Sequence, residues 1–238
     1  MTGGRLEGRI ALVTGASRGI GRAVAKRYAA EGAQLILVAR TSGALEEVDD
    51  EIRAVGGEPA MLVPLDLRQS ELIDQMGAAL HERFGRLDII VGNAAILGGL
   101  FPTGHYSPDV WEAVIDLNLT VNWRLIRSLE PLLRLSDAGR AMFVTSGVTE
   151  NEPPPFWAPY AASKAGLEAL VFTWAAELKR TNIKANIIDP GIASTNMRAE
   201  AFPGEDPSKL KSPDEITEQF VALAEVSYSA NGTKTFIR

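Results

Sequence analysis

The sequence contains no cysteine and only two histidines, His81 and His105. A chain without cysteine forms no disulfide, performs no thiolate chemistry and offers no thiolate ligand to a metal. Two histidines are also too few for a histidine-rich metal site, so we expect no metal. Any chemistry has to come from hydroxyl, amine, carboxyl or backbone groups.

Excess positive charge and long apolar runs are also missing. The net charge is −6 and the pI is about 5.1, which argues against a nucleic-acid partner because phosphate binding favours a clustered basic surface. No window reaches the ~18 apolar residues of a membrane span. The polar, glycine-rich segment Met1–Gly8 has no apolar core of signal-peptide length. We therefore expect a cytoplasmic protein that does not enter a membrane.

The 238 residues, 46% of them hydrophobic and 23% charged, suit one sizeable α/β domain that spans residues 1–238. Apolar runs rich in Val, Ile and Leu alternate with amphipathic stretches such as Gly21–Glu31 and Glu71–Phe84. This pattern predicts a Rossmann-type, doubly wound parallel sheet of about seven strands with helices on both faces. The predicted strands are Ile10–Thr14, Gln34–Ala39, Ala60–Leu65, Leu87–Gly92, Ala141–Thr145, Lys184–Ile188 and Thr233–Ile237.

One segment, Gly191–Lys211, breaks the alternation, since it mixes Gly, Pro, Ser and charged residues without a clear strand. Loops of this length are uncommon in compact domains and are often functional. The segment ends at a helix start, with Ser212 as N-cap, Pro213 at N1 and Glu215 at N3. We expect residues 191–212 to form a lid over a substrate site.

A glycine-rich turn follows the first predicted strand: Thr14-Gly15-Ala16-Ser17-Arg18-Gly19-Ile20-Gly21. Glycine permits the tight turn and the close approach of backbone to a ligand, and the helix that follows presents its N-terminus to a phosphate. The alternative is a helix-start loop that needs glycine only for packing. The strand-turn-helix context favours a pyrophosphate site.

The second predicted strand ends at Arg40, where an acid would bind the ribose 2′-hydroxyl of NAD. A second arginine, Arg18, lies in the glycine turn. The planar guanidinium suits a 2′-phosphate, so the two arginines favour NADP(H). The alternative is that Arg40 is a solvated residue at a strand end.

The segment Tyr160-Ala161-Ala162-Ser163-Lys164 places a tyrosine and a lysine at positions i and i+4, which share one helix face. An adjacent ammonium stabilises a phenolate and brings the tyrosine pKa of ~10 down towards neutrality. Ser146, at the end of the fifth predicted strand, is placed to hydrogen-bond a carbonyl or alcohol oxygen.

Together, TGxxxGxG and YxxxK resemble the motifs of the short-chain dehydrogenase/reductase family, and the resemblance extends from about Gly8 to the C-terminus. It implies that Tyr160 is the acid/base, that Lys164 modulates it and binds the nicotinamide ribose, and that Ser146 orients the substrate. It also implies that Asn118 holds a proton-relay water. The cofactor contacts that it implies are Gly15, Ser17, Arg18, Gly19, Ile20, Gly21, Arg40, Asp66, Leu67, Asn93, Ala94, Tyr160, Lys164, Pro190, Gly191, Ile192 and Thr195.

Some of these assignments have other readings, and some positions depart from the family pattern. An aspartate after a strand, as at Asp66, is also a common helix cap. Gly92 stands where many relatives have a second Asn, and the proline-rich stretch Glu152–Pro155 lengthens the gap between serine and tyrosine. Phe156 and Trp157 either line a substrate pocket or pack over the start of the helix.

We therefore expect an enzyme that moves a hydride between NADP(H) and a ketone, aldehyde or secondary alcohol. A non-catalytic NADP(H)-sensing module and a structural homo-oligomer are the alternatives, and the intact glycine turn, Tyr160 and Lys164 argue against both. Ala95–Tyr106, Glu150–Trp157 and the lid should form the pocket, with Arg198 as an available partner for an anion. The sequence does not identify the substrate.

The resemblance also predicts association, because relatives pair two long helices about a two-fold axis. The equivalent segments here are Pro108–Leu133 and Trp157–Lys179. We expect a homodimer or homotetramer, two-fold dimers being the commonest oligomers. Light scattering at micromolar concentration measures the mass, and a monomer would contradict this prediction.

Overall fold

In the computed structural model, which describes residues 4–150 and 152–237, seven parallel strands form one sheet. The order across the sheet is β3-β2-β1-β4-β5-β6-β7. The N-terminal segment predicted to lack a signal is described only from Gly4 onwards. The strands are β1 Ile10–Thr14, β2 Gln34–Ala39, β3 Met61–Pro64, β4 Ile89–Gly92, β5 Arg140–Val144, β6 Lys184–Asp189 and β7 Lys234–Phe236.

Helices cover both faces of the sheet. They are α1 Gly19–Ala30, α2 Ser42–Ala54, α3 Ser70–Phe84, α4 Pro108–Ile115, α5 Val121–Arg134, α6 Ala158–Glu177, α7 Asn196–Ala201 and α8 Thr217–Ala224. Apolar residues of α1, α2 and α8 pack on one face, and those of α3, α5 and α6 pack on the other. The predicted doubly wound α/β fold is confirmed.

Burial explains why the strands could be recognised in the sequence. β1, β4 and β5 are buried along their whole length, and sheets covered on both faces require such continuous apolar runs. The outer strands β3 and β7 are only partly buried and shorter than predicted. The predicted strands agree with the structure to within one or two residues at each end.

The prediction of one long helix over Pro108–Leu133 is wrong in detail. A five-residue π-helical turn, Asp116–Thr120, separates α4 from α5. Such turns widen the helix locally and are frequent at functional sites.

The predicted lid, residues 191–212, contains regular secondary structure. It includes α7 and a 3₁₀ turn over Pro207–Lys209, and Ala193 forms an isolated parallel bridge with Lys211. The predicted capping box at Ser212 is present, although it opens a 3₁₀ turn, Pro213–Ile216, before α8. Short polar helices such as α7 carry too few apolar positions for periodicity to reveal them.

The strand order fixes where a ligand can bind. From β1 the chain winds outward through β2 and β3, and then returns to place β4 on the other side of β1. Open α/β sheets bind ligands in the crevice at the carboxyl ends of such a pair of strands. In residues 4–150 and 152–237, no helix has the length and apolarity to cross a membrane.

Candidate active site

The glycine turn joins β1 to α1 at the carboxyl edge of the sheet. Gly15 and Gly19 adopt positive φ angles of 64° and 56°, which side chains disfavour. At Gly21, an added Cβ would lie 2.3 Å from the Gly15 carbonyl oxygen. Gly21 therefore allows α1 to approach the turn from behind and, unlike the other two glycines, does not line the cleft.

The turn is tied to the end of β4 through Asn93. Its Nδ2 donates to the Thr14 carbonyl at 2.9 Å, and the backbone N–H groups of Asn93 and Ala94 donate to the Thr14 hydroxyl at 2.9 and 3.1 Å. An added Cβ on Gly15 would lie 2.9 Å from the same Nδ2 atom. The predicted Asn-Ala motif thus lies directly against the glycine turn.

A cleft of about 1410 Å³ runs along this edge of the sheet. Apart from Gly21 and Asn118, every predicted site residue lines it. The N-terminus of α1 opens onto the cleft, with no side-chain cap and no acidic residue in its first turn. Arg18 and Arg40 are exposed beside it. Free N–H groups at a helix N-terminus together with two nearby guanidinium groups are suited to an anion.

The next two cofactor candidates follow β3. Leu67 is buried, and Asp66 forms a charge pair with Arg68, with Oδ2 2.8 Å from Nη2. The hydrogen bond from Arg68 lowers the pKa of Asp66. The cap of α3 is Gln69, so Asp66 is not the N-cap that its sequence position allowed.

The segment after β6 forms the opposite rim. Gly191 has a φ of 65°, and an added Cβ there would lie 2.4 Å from the Ile237 carbonyl oxygen, so glycine is required. Pro190 is buried, whereas Ile192 is exposed. The Thr195 hydroxyl accepts from the Arg198 N–H at 3.2 Å and caps α7.

Ser146 and Tyr160 line the cleft together, and the Ser146 hydroxyl lies close enough to act on the pKa of Tyr160. Burial raises the pKa of Tyr160 to about 12; the hydrogen bond to Ser146 acts to lower it, and the charge of Asp189 acts to raise it. Tyr160 is 7% exposed. Fourteen residues separate Ser146 from Tyr160 in the sequence, and the connection from β5 to α6 brings them to the same cleft.

Lys164 lies one helical turn beyond Tyr160 and is 2% exposed. Its Nζ donates to the Val144 carbonyl at 2.7 Å and lies 5.7 Å from the Tyr160 ring centroid. Burial lowers the pKa of Lys164 to about 8, against the opposing effect of Glu168. Lys164 was expected to lower the pKa of Tyr160, but the pKa is raised instead. Burial disfavours the charged form of both groups, and the ammonium of Lys164 points at the Val144 carbonyl.

Asn118 lies in the π-helical turn and is fully buried. Its side chain pairs with both backbone groups of Ile96, accepting at 2.9 Å and donating at 3.0 Å, and also donates to Ser163 Oγ at 3.1 Å. Its carbonyl accepts from Asn122 Nδ2 at 2.8 Å. Asn118 therefore joins the loop after β4 to the helix that carries Tyr160 and Lys164.

Two open questions about the pocket are answered. Trp157 lines the cleft and contacts the Tyr160 ring edge-on at a centroid distance of 5.8 Å, whereas Phe156 is exposed outside the cleft. Arg198 is not available for an anion, because Glu205 binds its guanidinium through two hydrogen bonds of 2.6 and 2.7 Å.

A carboxylate that the sequence analysis missed supports the turn carrying Ser146. Glu168 Oε1 accepts from the hydroxyls of Thr145 and Thr149 at 2.5 and 2.6 Å and from Lys234 Nζ at 3.0 Å. Thr145 precedes Ser146, and Thr149 Oγ1 lies 2.9 Å from the Ser146 carbonyl oxygen. The sequence could have identified Glu168 by its spacing, because it follows Lys164 by four residues and so lies on the same helix face.

Comparison with known proteins identifies the family to which this arrangement belongs. The model of the short chain dehydrogenase family matches residues 9–206. The chain belongs to the short-chain dehydrogenase family. Members of this family are oxidoreductases that bind a nicotinamide cofactor and act on small molecules.

Individual short-chain dehydrogenases resemble it over nearly the whole length. The oxidoreductase YciK of Escherichia coli K12 is 39% identical, with 92% of this chain and 86% of YciK aligned. A short chain dehydrogenase structure from Escherichia coli CFT073, complexed with NADPH, has a TM-score of 0.93 and 37% identity over 97% of each chain. An NAD-dependent oxidoreductase of Mycobacterium tuberculosis is 34% identical over 93% of this chain and 91% of its own.

The cleft fits the family's cofactor. The bare backbone at Gly15 and Gly19 leaves a cradle, and the uncapped N-terminus of α1 opens beside it. The cradle lies at the same edge of the sheet as Ser146 and Tyr160. A dinucleotide bound along the edge would reach from the arginines to these hydroxyls.

The Glu168 contacts predict a pH-dependent contribution to stability. Burial acts to raise the pKa of Glu168, but hydrogen bonds from Thr145, Thr149 and Lys234 outweigh it and hold the pKa below its ordinary value of 4.5. The contribution is therefore complete above the unfolded-state pKa and is lost as the pH falls through the folded-state pKa. At neutral pH, Glu168→Gln should lower the free energy of unfolding by about 1.5–3 kcal/mol, the range for hydrogen bonds to a charged group.

Urea unfolding between neutral pH and about pH 4 measures this difference. The matched control is Glu177→Gln, an exposed carboxylate at the end of the same helix. The difference between wild type and Glu168→Gln should narrow on acidification. A difference that is constant with pH would contradict the assignment.

Proposed function

We propose that the protein is an NADP(H)-dependent oxidoreductase that interconverts a ketone or aldehyde with an alcohol, using Tyr160 as general acid/base. The observation that carries the proposal is that the hydroxyl-bearing Ser146 and Tyr160, with buried Lys164, line the same cleft as the glycine turn. Fold alone would not support a reaction, since the same fold hosts many functions.

The cofactor, when bound, supplies or accepts a hydride at its nicotinamide ring. The chain's own groups act on the oxygen of the substrate. That oxygen gains negative charge during reduction, so donors that already point at it stabilise the transition state. Ser146 and Tyr160 would both donate, and Tyr160 would transfer its proton.

The pKa values favour reduction as the direction that Tyr160 serves most readily at neutral pH. With a pKa raised to about 12, the phenol is protonated and ready to donate. Protonated Lys164 would then stabilise the phenolate left behind, and burial in a medium of low dielectric strengthens that interaction. Asn118 would act by positioning, because its side chain fixes Ile96 and Ser163 beside the reaction centre.

NADP(H) is proposed over NAD(H) on account of Arg18 and Arg40. Both are exposed and line the cleft, and the tip of β2 carries no acid that would bind a free 2′-hydroxyl. The NADPH complex of the Escherichia coli CFT073 relative supports the same choice. Two-fold association, which the family resemblance implies, is proposed through α5 and α6, whose exposed faces include Trp123 and Phe172.

Replacement of the arginines should change cofactor preference. Each charge-assisted contact with a phosphate is worth about 1.5–3 kcal/mol, so Arg40→Ala should weaken NADPH binding by about 10- to 100-fold and leave NADH binding nearly unchanged. Fluorescence titration measures both affinities. Arg83→Ala, an exposed arginine on α3 outside the cleft, is the control. Equal affinity of the wild type for NADPH and NADH would refute the choice of cofactor.

Removal of the tyrosine hydroxyl should separate chemistry from binding. Tyr160→Phe keeps the ring and should lower kcat by about 10²–10⁴, the usual contribution of general acid-base catalysis, while NADPH affinity stays nearly intact. NADPH oxidation with a panel of carbonyl compounds identifies a substrate and then measures kcat.

Lys164→Ala serves as the comparison for Tyr160→Phe, because loss of the lysine should weaken cofactor binding as well as turnover. If Tyr160→Phe kept near-full activity on a genuine substrate, the assignment of the acid/base would be wrong even with the fold and cofactor correct.

A further inference from the structure

A stack of side chains connects the lid to the reaction centre. The Trp157 ring meets Tyr160 at 5.8 Å, and on its other side it meets Phe202 at a centroid distance of 6.0 Å. The Arg198 guanidinium lies over the Phe202 ring, 3.7 Å from its centroid. The cation of the lid helix α7 therefore contacts the first of three consecutive rings, Phe202, Trp157 and Tyr160.

The positive charge of Arg198 is already paired with the carboxylate of Glu205. Glu205 binds the planar fork of Arg198 through Nε and Nη2, at 2.6 and 2.7 Å, and the arginine's hydrogen bonds lower the pKa of Glu205. A bidentate pair of this kind occupies the Nε–Nη2 edge of the guanidinium and balances its charge, so a second carboxylate or phosphate gains less from it. The ring of Phe202 covers one face of the same guanidinium.

The surroundings of Tyr160 on the lid side are apolar. Leu97, Val148, Tyr160 and Ala201 form a buried cluster, against which Met197 and Trp157 pack. The other arginine side chains that line the described cleft, those of Arg18, Arg22, Arg40 and Arg68, belong to the glycine-turn end. Lys164 lies behind Tyr160 and donates to Val144. Asp189, on β6, places a carboxyl near the tyrosine.

We propose that the Arg198–Glu205 pair makes the site selective for neutral, apolar carbonyl substrates, with Glu205 as the residue that determines this specificity. On the lid side, an anionic substrate would meet an arginine that is already paired and would lie near the carboxyl of Asp189, and a charge that loses hydration without gaining a partner is disfavoured. A neutral carbonyl compound loses no charge hydration there and packs against the apolar and aromatic side chains of Leu97, Val148 and Trp157. This inference rests on the proposed function, since it names the substrate class of the same site.

Two probes of similar shape test the inference: 4-methylacetophenone, which is neutral, and 4-acetylbenzoate, which carries a carboxylate. The dissociation constant of each for the NADPH-loaded protein is measured by calorimetry, and kcat/KM is measured by NADPH oxidation. We expect the neutral ketone to be preferred on the order of 10²-fold in both readouts, the scale of discrimination that an unpaired charge produces. Equal values for the two probes, or no binding of either, would overturn the inference.

Glu205→Gln supplies the decisive variant, because it keeps the side-chain shape and releases the charge of Arg198. It should improve binding and turnover of 4-acetylbenzoate by about tenfold or more and leave those of 4-methylacetophenone within a factor of about two. The double variant Arg198→Met/Glu205→Gln should lose this gain. Glu177→Gln, which removes an exposed carboxylate at the end of α6 outside the cleft, should leave the preference unchanged.

The outcomes also separate this inference from the proposed function. Binding in the expected order without reduction of either ketone would count against the proposed function and leave the charge preference standing. Reduction of both ketones at equal rates, or no effect of Glu205→Gln on their ratio, would leave the oxidoreductase activity standing and overturn the role of Glu205.

Discussion

The site depends on the contact between β1 and β4, the neighbouring strands from which the chain winds in opposite directions. Thr14 at the end of β1 is joined to Asn93 and Ala94 after β4 by three hydrogen bonds, and its hydroxyl accepts two of them, one from each backbone N–H. Gly15 fits against Asn93 only because it has no side chain. This junction sets the distance between the phosphate cradle and the loop that leads to the reaction centre.

Burial, more than pairing of charges, sets the electrostatics of the reaction centre. It raises the pKa of Tyr160 and lowers that of Lys164, so both groups are driven towards their neutral forms. The two values, about 12 and about 8, are much further apart than the ordinary values of 10.0 for a tyrosine and 10.5 for a lysine. Lys164 therefore loses its proton at a lower pH than Tyr160 does, and the nearby carboxyls Asp189 and Glu168 raise the pKa of Tyr160 and of Lys164, respectively.

Much of the fold followed from the sequence because its physical causes are local. Strands covered on both faces need unbroken apolar runs, and helices of two or more turns need a periodic apolar face, so both leave a pattern. The π-helical turn around Asn118 left none, since its cause is the pairing of that side chain with Ile96 and Ser163 across the structure. The partner of Arg198 was missed for a related reason, because a separation of seven residues across the end of α7 has no recognisable spacing.

Lys234 links the edge strand β7 to the turn that carries Ser146. β7 is a three-residue edge strand with limited burial, the kind of element that opens most readily in native proteins. Its lysine shares one carboxylate with the threonines on either side of the turn that carries Ser146. Transient detachment of this edge would withdraw a positive charge from Glu168 and loosen that turn. Opening of β7 and misorientation of Ser146 would then occur together. The stability of this edge strand would thereby set the fraction of molecules in which the serine is correctly oriented.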